Sequence, residues 1–188
     1  MFGRSLAAMA LCLVAGCRAP PPEALFPTEP FQLVDARGRP FGSANLSGKV
    51  WVADFFFTTC PGVCEELTKT MVALADRLEV EAPEVELVSF TVDPETDDPA
   101  TLLAYAQKFG AERPNWHFLT GEPDELRAVV VGNFKQPMEV EAQDEDQAMM
   151  RIAHGVRFVL MDGEGRVRGL YDAKPEALDP LIQAARAL

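Results

Sequence analysis

Basic side chains are in short supply in this sequence: 17 lysines and arginines stand against 29 aspartates and glutamates, a formal net charge of −12. Nucleic-acid binding draws its affinity from cations that neutralise phosphates, so this balance argues against that class of function. It argues equally against docking on anionic lipid through charge alone, and points to neutral or basic partner surfaces. Histidine is scarce, with His117 and His154 only, and cysteine occurs at positions 12, 17, 60 and 64. The sequence has no glycine-rich phosphate-binding loop, no Gly-x-Ser-x-Gly nucleophile elbow and no internal repeat. What chemistry remains falls to a few thiols, imidazoles and carboxylates.

The richest stretch is VWVADFFFTTCPGVCEELTKTM, from Val50 to Met71. Val50 to Phe57 is almost wholly apolar, with β-branched and aromatic residues prominent, the pattern of a strand buried on both faces. Two threonines and Cys60-Pro61-Gly62-Val63-Cys64 follow, and then Leu67, Met71, Leu74, Ala75 and Leu78 fall at helical spacing behind Glu65 and Glu66. The cysteines therefore sit where a strand turns into a helix, with Pro61 suited to the first helical position. Free N–H groups at such a terminus favour the thiolate. If Cys60 and Cys64 both open the helix, their Cβ atoms lie roughly 5–6 Å apart on one face. That spacing permits a disulfide and equally permits two thiolates on one metal; it does not choose between them.

Met1 to Gly16 has the form of a secretory signal, with Arg4 early and a near-continuous apolar stretch from Leu6 to Val14 that is too short to span a bilayer. Leu13-Val14-Ala15-Gly16-Cys17 resembles a bacterial lipobox, which would make Cys17 the lipidated first residue of the mature chain; plain secretion after Ala15-Gly16 is the alternative. Cys12 would leave with the signal, so Cys60 and Cys64 would be the thiols of the folded domain. A structural disulfide between them stays open, although a bridge across so short a loop constrains little of the unfolded chain. Pro20, Pro21, Pro22, Pro27 and Pro30 give Arg18 to Pro30 the look of an extended tether that holds the domain off the membrane. The expected organisation is a signal over 1–16, a tether over 17–30 and one domain over 31–188.

Within that domain, Phe31–Val34 and Pro40-Phe41 flank a glycine-containing turn and predict a hairpin. Val85–Val92, Trp116–Leu119, Ile152–Met161 and Val167–Tyr171 predict strands, the last two joined by the turn Asp162-Gly163-Glu164-Gly165. Ala100–Phe109, Pro123–Val131 and Pro175–Leu188 predict helices. Alternating strands and helices imply a parallel or mixed sheet. Gly132 to Met150 fits neither period and reads as an exposed loop, with the charge of its acidic run EVEAQDED solvated. Asp93, Asp97 and Asp98 lack the glycine and distal glutamate of a calcium loop, so helix capping and solvation are expected of them. Met149 and Met150 read as gap fillers, and His117, between Trp116 and Phe118, as a satisfied strand histidine.

Taken in order, TTCPGVC, TVDPETDDP, WHFLTG and AHGVRFVLMDGEGRV resemble the Sco/SenC proteins over Phe31 to Leu188. The resemblance implies an α/β, thioredoxin-like fold: a central mixed sheet flanked by helices, with an N-terminal β-hairpin extension. It implies copper, as Cu(I), Cu(II) or both, held by Cys60, Cys64 and His154, with Asp93 of the DP motif behind the ligands or facing a partner. The implied role is a metallochaperone, with thiol–disulfide oxidoreductase activity left open, acting on the copper-site domain of cytochrome c oxidase subunit II and supplied by another copper carrier or thiol reductant. With Cys17 lipidated, it would sit on the outer face of the bacterial plasma membrane. Glu65 departs from the pattern, since the family often has proline there. The ligand chemistry agrees, because thiolate suits Cu(I) and imidazole suits Cu(II) as well. A thiol–disulfide reductase that keeps the acceptor's cysteines reduced is the rival: Cys60 would attack and Cys64 resolve, with no need of His154. CxxxC in place of CxxC, and Ala153-His154 where a thioredoxin has its cis-proline, weigh against a general oxidoreductase.

Overall fold

Strand β4 (Trp51–Phe56) is the middle of the molecule because its side chains alternate between two apolar layers, Val52 and Phe56 on one side and Trp51 and Ala53 on the other. In the computed structural model, which describes residues 20–60, 62–136 and 156–188, β4 runs parallel to β5 (Glu86–Thr91), and β5 parallel to β6 (Trp116–Thr120). On its other side β4 pairs antiparallel with β7 (Arg157–Met161), which turns back into β8 (Arg166–Asp172). The hairpin of β2 (Gln32–Asp35) and β3 (Pro40–Gly42) joins antiparallel to β6, and β1 (Phe26–Pro27) joins β8. The order β1-β8-β7-β4-β5-β6-β2-β3 is the expected mixed sheet with its hairpin extension.

Both faces of a central parallel segment must be covered. Helix α1 (Val63–Glu81) lays Leu67, Met71, Leu74, Ala75 and Leu78 on the first face, at the spacing of one helical stripe. Helix α2 (Pro99–Lys108) adds Leu102, Tyr105 and Ala106. The second face is closed by helix α3 (Pro123–Arg127) and the segment after it, through Leu126, Val129, Val130 and Phe134. Helix α4 (Leu178–Ala187) returns to the first face with Leu181, Ile182 and Ala185.

Two expectations differ in detail. The helix predicted over Pro123–Val131 is α-helical only to Arg127; Ala128–Asn133 is a π-helix, whose wider turn lets Val129, Val130 and Asn133 all face inward. The tether expected over 17–30 is bound to the domain along its second half. Leu25 N–H donates to Val167 O at 2.8 Å, Thr28 N–H to Gly165 O at 2.9 Å, and Arg168 Nε to Pro22 O at 2.8 Å. Glu29 and Asn133 exchange two further bonds. Prolines remove donors from this strap but leave its carbonyls, and an edge strand tolerates them.

Candidate metal centre

The loop from β4 to α1 carries the thiols. Helix α1 begins at Val63 behind Gly62, whose φ of 81° and ψ of −61° place it where a Cβ is strained. This corrects the expectation that Pro61 starts the helix and that both cysteines open it: Cys60 precedes the helix, and Cys64 is its second residue. Pro61 itself lies outside the described residues. The turn at Gly62, and not a shared helical face, brings the sulfurs together. Cys64 S–H and Cys64 N–H both donate to Cys60 Sγ, the second being one of the free amides of a helix start. Both thiols are reduced and buried, 4% and 3% exposed, in the core cluster that contains Phe56, Leu67 and Tyr105.

The pair is asymmetric. The hydrogen bond from the Cys64 thiol, helped by the Cys64 amide and opposed by burial, holds Cys60 down to about 7. Donating that proton, and then burial, push Cys64 well above the ordinary thiol range, against a bond from Phe57 N–H. The Cys60 N–H donates to Phe57 O at 3.3 Å, so Phe57 touches both halves of the pair. Thr68 Oγ1 donates to Cys64 O at 2.9 Å and lies 2.9 Å from the Tyr105 hydroxyl, which also donates to Cys64 O at 3.4 Å. Glu65, the departing position, is bonded to Lys108 at 2.7 Å, and that bond lowers its pKa. Its negative charge is thereby met by an ammonium beside the thiols.

Two carboxylates that sequence reasoning did not assign stand next to this loop. Asp54 lies on the same side of β4 as Val52 and Phe56, the α1 side, and is 1% exposed. Burial, opposed by a bond from Ser89, raises its carboxyl to about 7, and among the described residues its Oδ1 has no hydrogen-bond partner. A single acid inside an apolar strand run was the available signal. Asp97 is fully buried, which corrects the expectation of solvation. Its carboxylate accepts from Thr58 N–H at 3.1 Å, from the Thr58 hydroxyl, and from Thr91 Oγ1 at 2.5 Å. No sequence signal separates it from its neighbours. Asp98 caps α2 by accepting from Thr101 N–H at 2.7 Å, as capping predicted.

Asp93 is half-buried at the end of the same loop, with its N–H donating to Thr91 Oγ1 at 3.0 Å. His154, Cys17, Cys12, Met149, Met150 and the acidic run 139–146 lie outside the described residues. Among the described residues no group of three or more His, Cys, Asp or Glu forms a metal-binding cluster. His117 is satisfied: its Nε2 lies 2.9 Å from Glu86 Oε2, and its ring packs on Phe41 with centroids 4.3 Å apart.

A mixed sheet with helices on both faces, and a reduced thiol pair between a central strand and the first long helix, define a thioredoxin-like α/β domain with a CxxxC site. The SCO1/SenC family model matches residues 21–187, and the chain belongs to that family. It is 34% identical to the SCO1 protein homolog of Bacillus subtilis over 143 residues, 76% of this chain and 72% of that one. Among solved structures, a SCO1/SenC family lipoprotein from Bacillus anthracis superposes with a TM-score of 0.74 at 33% identity, covering 88% of this chain and 97% of that one. BsSco, a member of the Sco family of cytochrome c oxidase assembly proteins with a disulfide switch, gives 0.76 at 29% identity, covering 89% and 95%. Yeast Sco1 with copper bound gives 0.65 at 25% identity, covering 86% and 93%.

Proposed function

We propose that this chain is a membrane-tethered copper-binding metallochaperone that delivers copper to the binuclear centre of cytochrome c oxidase. The observation that carries the reading is the buried, unbridged pair of Cys60 and Cys64 at the start of α1, with the Cys60 thiol drawn down to about 7 by hydrogen bonding from Cys64. Two soft sulfurs suit Cu(I), and His154 as third ligand would extend the set to Cu(II). Asp93, pinned at the loop after β5, is proposed to orient the His154 ring through its second nitrogen. Copper is cargo here, passing by ligand exchange to the acceptor's own copper-site domain on subunit II. Residues 1–16 are proposed to be removed and Cys17 lipidated, placing the domain on the outer face of the plasma membrane; likeness to the Bacillus anthracis lipoprotein supports this.

The same asymmetry favours a second reading, a thiol–disulfide reductase aimed at the acceptor. Cys60 thiolate would attack one sulfur of the acceptor disulfide and release the other as a thiolate. Cys64, losing its proton, would then displace the acceptor from Cys60, leaving a Cys60–Cys64 disulfide and a reduced acceptor two electrons richer. A separate thiol reductant would restore the pair.

His154→Ala separates the two in cells that depend on this chain for oxidase maturation. The metallochaperone reading predicts loss of the binuclear copper absorption in the purified oxidase. The reductase reading predicts an oxidase loaded as in wild type.

A further inference from the structure

Asp97 is fully buried and, among the described residues, forms no ion pair, yet its carboxylate is surrounded by donors. A buried carboxyl group without a cation beside it persists only where hydrogen bonds replace its water. Here the donors come from two segments, the chain leading into Cys60 and the end of β5. Thr58 N–H and Thr58 Oγ1 come from the loop between β4 and Cys60. Thr91 Oγ1 comes from the end of β5, and the same hydroxyl oxygen accepts from Asp93 N–H. The Asp97 N–H in turn donates to Asp93 O at 2.9 Å. One carboxylate therefore ties together the chain leading into Cys60 and the loop bearing Asp93.

The next residue back from Thr58 shows why this matters. Phe57 O accepts the Cys60 N–H at 3.3 Å, and Phe57 is bonded directly to Thr58 in the chain. Cys60 thus takes its place beside Cys64, at the start of α1, from a backbone that Thr58 anchors. We propose that Asp97 is a positioning residue that holds the β4–α1 loop so that the two sulfurs are already adjacent before any bond joins them. Disulfide closure and copper capture by the pair share that requirement, because each gains from a high effective concentration of one sulfur near the other. The inference rests on Cys60 and Cys64 being the working site and adds what sets their separation.

The test uses the full chain in detergent, in a Cys12→Ser, Cys17→Ser background so that Cys60 and Cys64 are the remaining thiols. Equilibration with dithiothreitol reads the effective concentration directly. The protein S–S bond breaks to two thiols as dithiothreitol, giving up two electrons and two protons, closes its own ring. Asp97→Asn and Thr58→Val are expected to lower the equilibrium constant for disulfide formation against dithiothreitol about tenfold, a rise in reduction potential of roughly 30 mV for this two-electron couple. Copper uptake by the reduced pair weakens in parallel. Thr58→Ser, which keeps the hydroxyl, restores both. Asp98→Ala, which uncaps α2 beside Asp97, lowers the melting temperature and leaves both unchanged.

Asp97→Asn within twofold of wild type in the dithiothreitol equilibrium would overturn the proposal, as would an equal shift in Asp98→Ala. The dithiothreitol measurement needs no copper. A wild type that takes up no copper, with the Asp97→Asn shift intact, would sink the copper reading and keep the positioning role.

Discussion

At the scale of single residues, the site is a matter of which atom keeps a proton. Cys60 is held low by a neighbouring thiol and a helix-start amide, not by a basic side chain. Asp54 carries the opposite perturbation. Its folded value is raised above the ordinary carboxylate range to about 7, so the stability linked to its neutral form is complete below about pH 4 and is lost as pH rises through 7. Asp54→Asn removes that dependence. Between pH 5 and pH 8 the wild type is expected to lose about 2 kcal/mol more than the variant, read from urea unfolding at the two values. Equal losses would mean that Asp54 is solvated. Asp54 and Asp97 were not assigned as site residues from the sequence, because what distinguishes them is burial. Asp54 stands out as an interruption in an apolar run but carries no partner motif, Asp97 looks like any member of its acidic loop, and the burial of both is decided by segments far away in the chain.

At the scale of elements, the parts with a clear period were legible. The two-faced run of β4, the stripe from Leu67 to Leu78 and the β7–β8 hairpin follow from apolar spacing alone. Leu78, 0% exposed at the foot of that stripe, is expected to cost roughly 2–5 kcal/mol as Leu78→Ala in denaturant unfolding. A loss below 1 kcal/mol would mean that α1 does not anchor the first face. Less legible were features set by long-range pairing or by backbone conformation. Gly62 at positive φ moved the helix start beyond Pro61, and the valines after Ala128 widened into a π-turn. The strap was hidden because its prolines mask a strand that is held by partners more than a hundred residues away. Arg168, half-buried between Asp162 and Pro22 O, is its clasp. Arg168→Met should raise amide exchange at Leu25 and Thr28 by about tenfold or more while β4 amides keep their protection. Unchanged exchange would show that the β1 pairing alone holds the strap.

At the scale of the whole molecule, the acidic surface and the clasped strap define how the domain meets a partner. A net charge of −12 favours a neutral or basic docking face, in line with a partner other than nucleic acid. With the strap bound from Pro22 onward, only the residues between Cys17 and that point remain as spacer, so a lipidated Cys17 would keep the domain close to the bilayer. The family motifs in the sequence reached the fold and the thiol pair; the three-ligand copper site depends on His154 joining that pair. Copper titration of the reduced chain in the Cys12→Ser, Cys17→Ser background, alongside Cys60→Ser, Cys64→Ser and His154→Ala, tests this most directly. One tightly held copper per chain is expected, with a thiolate-to-Cu(II) absorption band that each substitution abolishes. His154→Ala binding copper like wild type, or only weak binding by wild type while its thiols reduce an acceptor disulfide, would contradict the metallochaperone site and leave the reductase.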